Sequence, residues 1–272
     1  MAKTMMKRLA TAAAFGLLTS GAHAADNFFE TPAMAPAQAY DWTGVYLGGH
    51  VGLGAAESDT STFVPNIGTG NDINPIAAAF AEASGDNDFR DTDFVGGLHL
   101  GYNYQFGNIV AGAEADIDYA GHDQFYFTEV TFRRGVAVTT DRIEMDYVGT
   151  VRARLGMAID RALVYGTGGF AYTDARVSRT VDSNASDPCP VLANGLVRCH
   201  SGATDFDYGY TLGGGVEYAF FDNLIGRMEY SYTDFGSESF TTTSVAYPNQ
   251  TLDHNVEFDI QTVKFGLSYK FN

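Results

Sequence analysis

The chain has 272 residues, a formal net charge of −17 at neutral pH, 31 glycines, 7 prolines and 14% aromatic residues. Its acidic balance argues against nucleic acid as a partner, because phosphate binding needs basic patches. The mean hydropathy of −0.10 is that of a soluble protein, yet a transmembrane β-barrel has similar values because only alternate residues face lipid.

The first 24 residues have the pattern of a secretory signal peptide. Lys3, Lys7 and Arg8 form a positive region, an apolar run too short to span a bilayer follows, and Ala22 and Ala24 form an A-x-A cleavage site. Cleavage after Ala24 removes three positive charges and no acidic ones, which changes the formal net charge from −17 to −20. We therefore predict an exported, strongly acidic protein.

The mature chain is predicted to begin with a flexible lead-in, residues 25–42, followed by one domain, residues 43–272. Alternating residue types predict about eight strands in that domain, near residues 44–53, 94–105, 109–119, 143–155, 163–177, 206–218, 227–232 and 263–271. A period of two with apolar residues on one face is typical of strands between lipid and a polar interior. Because every backbone polar group in lipid needs a partner, such strands imply a closed barrel.

The direction of side chains is predicted for most strands. In the fourth strand Ile143 and Met145 are expected to face outward with Tyr147, and in the sixth strand Phe206 is expected to face outward. The fifth strand contains several glycines, and its phase stays open.

Short and long connections alternate along the chain. Those near residues 106–107, 158–160 and 221–223 are short, whereas those near residues 54–92, 121–142, 178–204 and 236–254 are long. Short periplasmic turns and long extracellular loops are typical of outer-membrane barrels. The predicted fold is therefore all-β, an eight-stranded antiparallel transmembrane β-barrel.

Charged residues are predicted to fill the interior, because eight strands leave room only for side chains. These residues are Glu114, Asp116, Asp118, Arg152, Arg154, Arg227 and Glu229. The alternative, that the carboxylates are general acids or bases, is disfavoured because no nucleophile is apparent nearby. We predict ion pairs, no wide channel and no catalytic residue.

Cysteines and histidines give no metal or cofactor site. Cys189 and Cys199 lie ten residues apart in a predicted loop of an exported chain, which favours a disulfide over a metal site. His50 and His99 are expected to face the interior and form hydrogen bonds there, while His122, His200 and His254 are expected in or near loops. None shows the spacing of metal ligands, and no cofactor is predicted.

The predicted loops carry opposite charges. The first is rich in carboxylates, whereas Arg133, Arg134 and Arg142 in the second are positioned to meet lipopolysaccharide phosphates. Solvated loop charge with no partner is the other interpretation, and the loop charges by themselves slightly favour it. The expected partners are lipopolysaccharide, outer-membrane lipid, and host or environmental ligands of the loops.

Several motifs resemble one family along the whole chain: residues 41–49 (DWTGVYLGG), 101–107 (GYNYQFG), 112–116 (GAEAD), 151–156 (VRARLG), 164–169 (VYGTGG) and 215–218 (GVEY). They resemble the small outer-membrane β-barrel proteins of alphaproteobacteria, the outer membrane immunogenic or RopB-like porin-family proteins. The resemblance implies a barrel in the cell outer membrane that supports envelope integrity and faces hosts or the environment. It also implies haemin binding for some relatives, but no ligand site transfers, because the matching motifs lie in strands and turns.

The last strand resembles the C-terminal signal that the barrel-assembly machinery reads. Lys264, Gly266, Tyr269 and Phe271 match its order of a polar residue, a glycine and two aromatic residues, and Asn272 departs from the usual ending on phenylalanine. We therefore predict a structural surface protein. Haemin binding or a narrow pore is the alternative, and an enzyme that modifies lipid A is the third choice.

Overall fold

The computed structural model describes residues 40–65, 82, 86–132, 135–183, 197–244 and 249–271. It contains eight strands: β1 (Gly44–Phe63), β2 (Asn87–Phe106), β3 (Ile109–Phe132), β4 (Gly135–Ile159), β5 (Ala162–Ser183), β6 (Val197–Ala219), β7 (Leu224–Ser244) and β8 (Thr251–Phe271). Each strand is antiparallel to its neighbours, and β8 pairs with β1, so the sheet closes in chain order. The prediction of an eight-stranded antiparallel barrel is confirmed. Within the described residues, no helix is long and apolar enough to cross a membrane.

The outward face of one half of the barrel is apolar. On β4 the exposed residues include Val151, Leu155 and Met157, and β8 alternates in the same way from Val263 to Phe271. Exposed or partly exposed tyrosines mark the upper border of this band, and we call them the tyrosine girdle: Tyr119, Tyr147, Tyr172, Tyr208, Tyr210 and Tyr230. Aromatic girdles at both edges of an apolar band are typical of transmembrane barrels. The short turns therefore lie at the periplasmic end, and the strands beyond the girdle form the extracellular half.

The strands extend further than their sequence pattern indicates. Residues 121–142 were predicted to be a long loop, but β3 and β4 remain paired up to Phe132 and Gly135. The predicted first loop is shorter for the same reason, since β1 continues to Phe63 and β2 begins at Asn87. Beyond the membrane the outer face of a strand meets water instead of lipid, so the lipid-facing half of the alternation is lost.

The predicted direction of several side chains is wrong on the extracellular side. Ile143, Met145 and Phe206 were expected to face outward, yet they are buried inside the barrel. The register of β4 against β5 shifts between Glu144 and Val148, and that of β5 against β6 shifts between Tyr172 and Ala175, where Ala175 stands opposite Phe206. A β-bulge places two residues opposite one and so reverses the inward and outward order beyond it.

The phase of β5 is now defined. Leu163, Tyr165 and Thr167 are buried in the interior, while Val164 and Phe170 are exposed on the outer face. His200 and His254, which were expected in or near loops, are buried in β6 and β8.

The end of the predicted flexible lead-in is packed against the barrel. Trp42 is completely buried and Tyr40 nearly so, and the two rings meet edge to face at 4.9 Å. They belong to an apolar group at the periplasmic end, the lower apolar cluster, which comprises Tyr40, Trp42, Val110, Ala158, Leu163, Tyr165, Ala219 and Ile225. The prediction of flexibility is wrong for residues 40–42, because apolar burial orders them. Residues 25–39 lie outside the described residues.

A second apolar group fills the extracellular half. This upper apolar cluster comprises Ala56, Ile143, Met145, Ala171, Ala175, Val177, Phe206, Phe235, Val256, Phe258 and Ile260. Between the two clusters the inward-facing side chains are polar and charged.

Candidate functional site

Nine charged side chains meet inside the barrel between the two apolar clusters. We call this group the interior charge network: Glu114, Asp116, Asp118, Arg152, Arg154, Glu217, Arg227, Glu229 and Lys264. They come from β3, β4, β6, β7 and β8, and all are buried. Alternate residues of a strand share one face, which explains how three of them follow at every second position of β3.

Arg152 joins three carboxylates. Its Nη2 lies 2.8 Å from Glu114 Oε1 and 2.8 Å from Asp116 Oδ2, and its Nη1 lies 2.6 Å from Glu229 Oε1. β7 lies on another wall of the barrel from β3 and β4. Arg152 therefore links side chains across the interior as well as between neighbouring strands.

Glu114 is surrounded by three guanidinium groups. Besides Arg152, it accepts hydrogen bonds from Arg227 Nη1 at 2.9 Å and from Arg154 Nη1 at 3.2 Å. The hydroxyl of Tyr46 donates to Glu114 Oε2 at 2.7 Å and accepts from Arg154 Nη1 at 2.5 Å. Charge-assisted bonds of this kind are needed to offset the desolvation of buried ions.

The space that Tyr46 occupies depends on a glycine of the next strand. A Cβ atom at Gly101 would overlap the Tyr46 ring and hydroxyl. Gly101 stands directly opposite Tyr46 in the β1–β2 ladder. The GYNYQFG motif thus supplies the room for the hydroxyl that bonds to Glu114.

A buried chain of hydrogen bonds runs beside the network. Ser268 Oγ lies 2.7 Å from His99 Nε2, and His99 Nδ1 lies 3.0 Å from His50 Nδ1. His50 Nε2 bonds to Asp118, which also pairs with the ammonium group of Lys264. The order serine, histidine, histidine, aspartate resembles an activated nucleophile, but all four residues are buried.

A small cavity separates the network from the upper apolar cluster. It has a volume of about 30 Å³, with Asp118, Arg152 and Lys264 on one side and Met145 and Ile260 on the other. A space of this size holds about two water molecules. Among the described residues, no group of three His, Cys, Asp or Glu side chains is arranged to hold a metal ion.

The structure brings together all seven residues that the sequence indicated as an interior charge network. It adds Glu217, whose Oε1 lies 2.9 Å from Arg154 Nη2, and Lys264. Lys264 had been assigned to the assembly signal alone. Lys264 is separated from His254 and Ser268 by an even number of residues along β8, and such residues of a strand share one face. This alternation is the sequence signal that places Lys264 on the inner face.

The remaining predicted residues fall into two groups. Gly266, Tyr269 and Phe271 lie on β8, where the two aromatic rings are exposed on the lipid-facing side and meet edge to face at 5.1 Å. Ala22, Ala24, Cys189, Arg133, Arg134 and Asn272 lie outside the described residues. The predicted cleavage site and the predicted disulfide of Cys189 with Cys199 stay predictions.

Comparison with known proteins agrees with this architecture. Residues 10–271 match the family model described as "Outer membrane protein beta-barrel domain". The chain is 32% identical to the 31 kDa outer-membrane immunogenic protein of Brucella melitensis biotype 1, over 98% of this chain and 100% of that protein. It is 24% identical to the 25 kDa outer-membrane immunogenic protein of Brucella abortus biovar 1, over 99% and 100%.

Among solved structures, the chain is similar to the outer membrane protein OprG from Pseudomonas aeruginosa. The TM-score is 0.43 at 13% identity, over 86% of this chain and 98% of that one. The family match spans nearly the whole chain, and the strands form the closed antiparallel sheet that this family name describes. The chain belongs to the outer membrane protein beta-barrel family and is a protein of the outer membrane.

Proposed function

We propose that this barrel is a structural protein of the outer membrane, closed to solutes, which supports the envelope through contacts with lipopolysaccharide. The observation that carries the proposal is the interior charge network, in which Arg152 bonds to carboxylates on two separate walls. An eight-stranded barrel has an interior only as wide as its side chains. Charges that are paired across this width leave no continuous path for water.

Two apolar layers support the same proposal. The lower apolar cluster lies at the periplasmic end, with Trp42 completely buried, and the upper apolar cluster lies above the network. An ion that crossed the barrel would lose its hydration in both layers, which is strongly unfavourable without paired groups. The cavity of about 30 Å³ between them is far too small for a metabolite.

We also infer that the protein is not an enzyme. Ser268, His99, His50 and Asp118 have the order of a catalytic relay, but each is buried in the barrel wall or interior. A substrate must come within about 3.5 Å of the nucleophile, and Ser268 lies beneath closed layers. The carboxylates of the network are paired with guanidinium groups. This pairing favours a structural role over a catalytic one.

The outer surface above the tyrosine girdle suits lipopolysaccharide. On β4 and β5, Arg142 pairs with Glu144 at 2.8 Å, and Arg176 pairs with Asp205 of β6 at 3.4 Å. The Arg142 guanidinium also lies 4.8 Å above the ring of Phe125. Guanidinium groups bind phosphate with two hydrogen bonds, while neighbouring carboxylates bind divalent cations that join the phosphates of lipid A. During assembly, before the barrel meets lipopolysaccharide, β8 would present Tyr269 and Phe271 to the barrel-assembly machinery.

Conductance across a planar lipid bilayer tests the closed interior. The purified mature protein is expected to give no steady ion current, with or without haemin. Reproducible current steps from the unmodified protein would contradict the proposal, and steps that haemin alone abolishes would favour a narrow haemin-sensitive pore instead.

Uptake of an apolar dye by whole cells tests the envelope role. A strain that lacks the gene is expected to take up dye faster, and the wild-type gene is expected to restore the barrier. A variant with Arg142→Ser and Arg176→Ser is expected to restore it only in part. Arg161→Ser is the matched control, because Arg161 is a partly exposed arginine at a periplasmic turn, 2.8 Å from Asp222. Equal restoration by all three proteins would contradict the role of lipopolysaccharide.

A further inference from the structure

The barrel wall is interrupted along two lines above the tyrosine girdle. The β2–β3 ladder ends at Gly96 and Tyr119, although β2 begins at Asn87 and β3 continues to Phe132. Among the described residues, no ladder pair joins the backbones of these two strands beyond that point. We call this line the β2–β3 seam.

The second line separates β6 from β7. No residue pair of the described strands lies between Ser201↔Thr243 and Tyr210↔Asp234, although the register on the two sides is the same. On β7 the four consecutive residues from Gly236 to Ser239 are all exposed. In a strand that is paired on both edges and packed on its inner face, every second residue would be buried. We call this line the β6–β7 seam.

The two seams lie four strands apart, so they divide the extracellular half into two sheets. The first sheet consists of β3, β4, β5 and β6, and the second of β7, β8, β1 and β2. Within each sheet the ladders continue to the strand ends, as in β4–β5 up to Ala137↔Ser183 and in β8–β1 up to Phe63↔Asp253. Hydrogen bonding therefore holds each sheet together but joins the sheets to each other only in part.

Apolar packing holds the two sheets against each other. The ring centroids of Phe206 in the first sheet and Phe258 in the second lie 5.6 Å apart. The Phe258 ring also packs against Phe235 of its own sheet, at 5.7 Å between centroids. The rest of the upper apolar cluster is likewise divided between the sheets. Apolar contacts are non-directional, and no backbone ladder joins the sheets along the β2–β3 seam. The sheets can therefore separate there without breaking backbone hydrogen bonds.

Bulges at the level of the girdle supply a hinge. The register shifts between Tyr119 and His122, between Glu144 and Val148, between Tyr172 and Ala175, and between Asp234 and Ser237. Bulges bend strands and increase their twist. Four of them at one height mark the level at which the round barrel passes into two facing sheets.

Polar side chains fasten the two sheets near their tips. In the first sheet Arg179 binds Asp141 through Nε at 2.5 Å and through Nη2 at 2.8 Å. Its Nη1 reaches the second sheet, 2.8 Å from Thr62 Oγ1 and 3.2 Å from His254 Nδ1. His254 Nε2 in turn lies 2.9 Å from Thr242 Oγ1. We call these five residues the latch.

We propose that the extracellular half is an acid-released clamp, in which the two sheets swing apart at the β2–β3 seam when the latch between Arg179 and His254 opens. The β6–β7 side is the back of the clamp, because His200↔Ser244 and Ser201↔Thr243 still pair at its upper end. The interior charge network and the lower apolar cluster lie below the hinge. Opening therefore exposes the upper apolar cluster to the outside while the barrel stays closed to flow.

The groups around His254 account for the response to acid. Arg179 and Asp141 face it from the first sheet together with His200, whereas Thr62, Thr242 and the Phe240 ring, 5.0 Å away, face it from the second. Burial, then Arg179 and His200, lower the pKa of His254 from 6.5 to about 3, and burial also lowers the pKa of His200. In the closed clamp His254 is neutral and accepts a hydrogen bond through Nδ1.

The sign of the pH effect follows from this difference. An opened clamp exposes His254 to water, where its pKa is about 6.5. Below that value the open state binds a proton that the closed state does not bind, so falling pH favours opening. Above it both states are neutral, and the closed clamp keeps its full stability.

Distances between pairs of spin labels test the clamp in nanodiscs, with Cys189 and Cys199 replaced by serine. Labels at Thr92→Cys on β2 and Phe127→Cys on β3 span the β2–β3 seam, and both positions are exposed. Labels at Phe127→Cys and Ser201→Cys span the first sheet alone. At about pH 4.5 the distance across the seam is expected to lengthen and broaden relative to about pH 7.5, while the distance within the sheet stays the same.

Three variants separate the latch from general loosening. Arg179→Met is expected to open the seam at about pH 7.5, whereas Arg176→Met, an exposed arginine on the same strand, is expected to change nothing. His254→Leu cannot take up a proton and is expected to remove the response to acid. An unchanged seam distance in both Arg179→Met and acid would overturn the proposal, as would equal lengthening across the seam and within the sheet. If Arg179→Met does not fold, the unmodified protein and His254→Leu at the two pH values decide.

Discussion

Arg152 on β4 and Glu229 on β7 are three strands apart around the barrel, yet Arg152 Nη1 lies 2.6 Å from Glu229 Oε1. Ladder hydrogen bonds connect only neighbouring strands, so this pair fixes two walls that the backbone does not join directly. The same guanidinium group bonds to Glu114 and Asp116 on β3. Arg152 thus serves as a central tie across the membrane part of the barrel.

The first prediction concerns this tie. Arg152→Ala leaves Glu114, Asp116 and Glu229 buried with fewer cationic partners, and breaking a buried pair in this way costs about 3 to 5 kcal/mol. The unfolding temperature in detergent is expected to fall, as measured by loss of β-sheet circular dichroism. Arg176→Ala removes an exposed pair with Asp205, which is worth about 0 to 1 kcal/mol, and it is the control. Equal transitions for the two variants would rule out a stabilising network.

The second prediction concerns the hydroxyl of Tyr46. Tyr46→Phe keeps the ring but removes the donor to Glu114 and the acceptor for Arg154. Hydrogen bonds to charged groups contribute about 1.5 to 3 kcal/mol, so the free energy of unfolding in urea is expected to fall by that order. Tyr104→Phe, at an outward position that is 57% exposed, is expected to have little effect. A Tyr46→Phe protein as stable as Tyr104→Phe would show that the hydroxyl is not needed.

The membrane half of the fold could be predicted because lipid imposes a strict pattern. From Val263 to Phe271 every second residue is apolar and exposed in the structure, as its alternation indicates. The same rule placed Glu114, Asp116 and Asp118 inside. One face of each strand must be apolar and the backbone must be fully paired, so few other arrangements satisfy the sequence.

The extracellular half could not be predicted in the same way. Ile143, Met145 and Phe206 are apolar and alternate with polar residues, which gave them an outward direction as long as the strand was taken to be continuous. A bulge between Glu144 and Val148 reverses the order on β4, and a register shift between β5 and β6 accompanies the reversal at Phe206. No residue type marks such a bulge reliably. The contact between Arg179 and His254 was not predicted for a related reason. Both residues lie in regions whose sequence lacks the alternation that lipid imposes.

The third prediction concerns the two cysteines. Cys189 and Cys199 in an exported chain are expected to form a disulfide, and Cys199 lies at the start of β6. The intact mass of the mature protein is expected to rise by two hydrogen atoms on reduction. Alkylation before reduction is expected to leave the mass unchanged. Rapid alkylation of both cysteines in the protein as purified would contradict the bridge.

The fourth prediction concerns the periplasmic end. Trp42 is the single tryptophan of the chain and is completely buried, so its fluorescence reports on this site alone. Its emission is expected to lie at short wavelengths and to resist quenching by acrylamide, and urea is expected to shift the emission to longer wavelengths. The Trp42 ring packs edge to face against Tyr40, whose ring lies 4.4 Å from Lys270 Nζ and whose hydroxyl donates to the carbonyl of Asp222.

Replacing Trp42 tests separately whether its packing stabilises the barrel and whether it closes the barrel to ions. Trp42→Ala removes the largest side chain of the lower apolar cluster, which costs about 3 to 5 kcal/mol for a buried tryptophan, so the unfolding temperature is expected to fall. Phe220→Ala, at an exposed rim position near the same end, is the control. Ion current through the Trp42→Ala barrel is expected to stay absent, because Arg152 and its carboxylates lie above the opened space and remain paired. A steady current would place the seal at Trp42 rather than at the interior charge network.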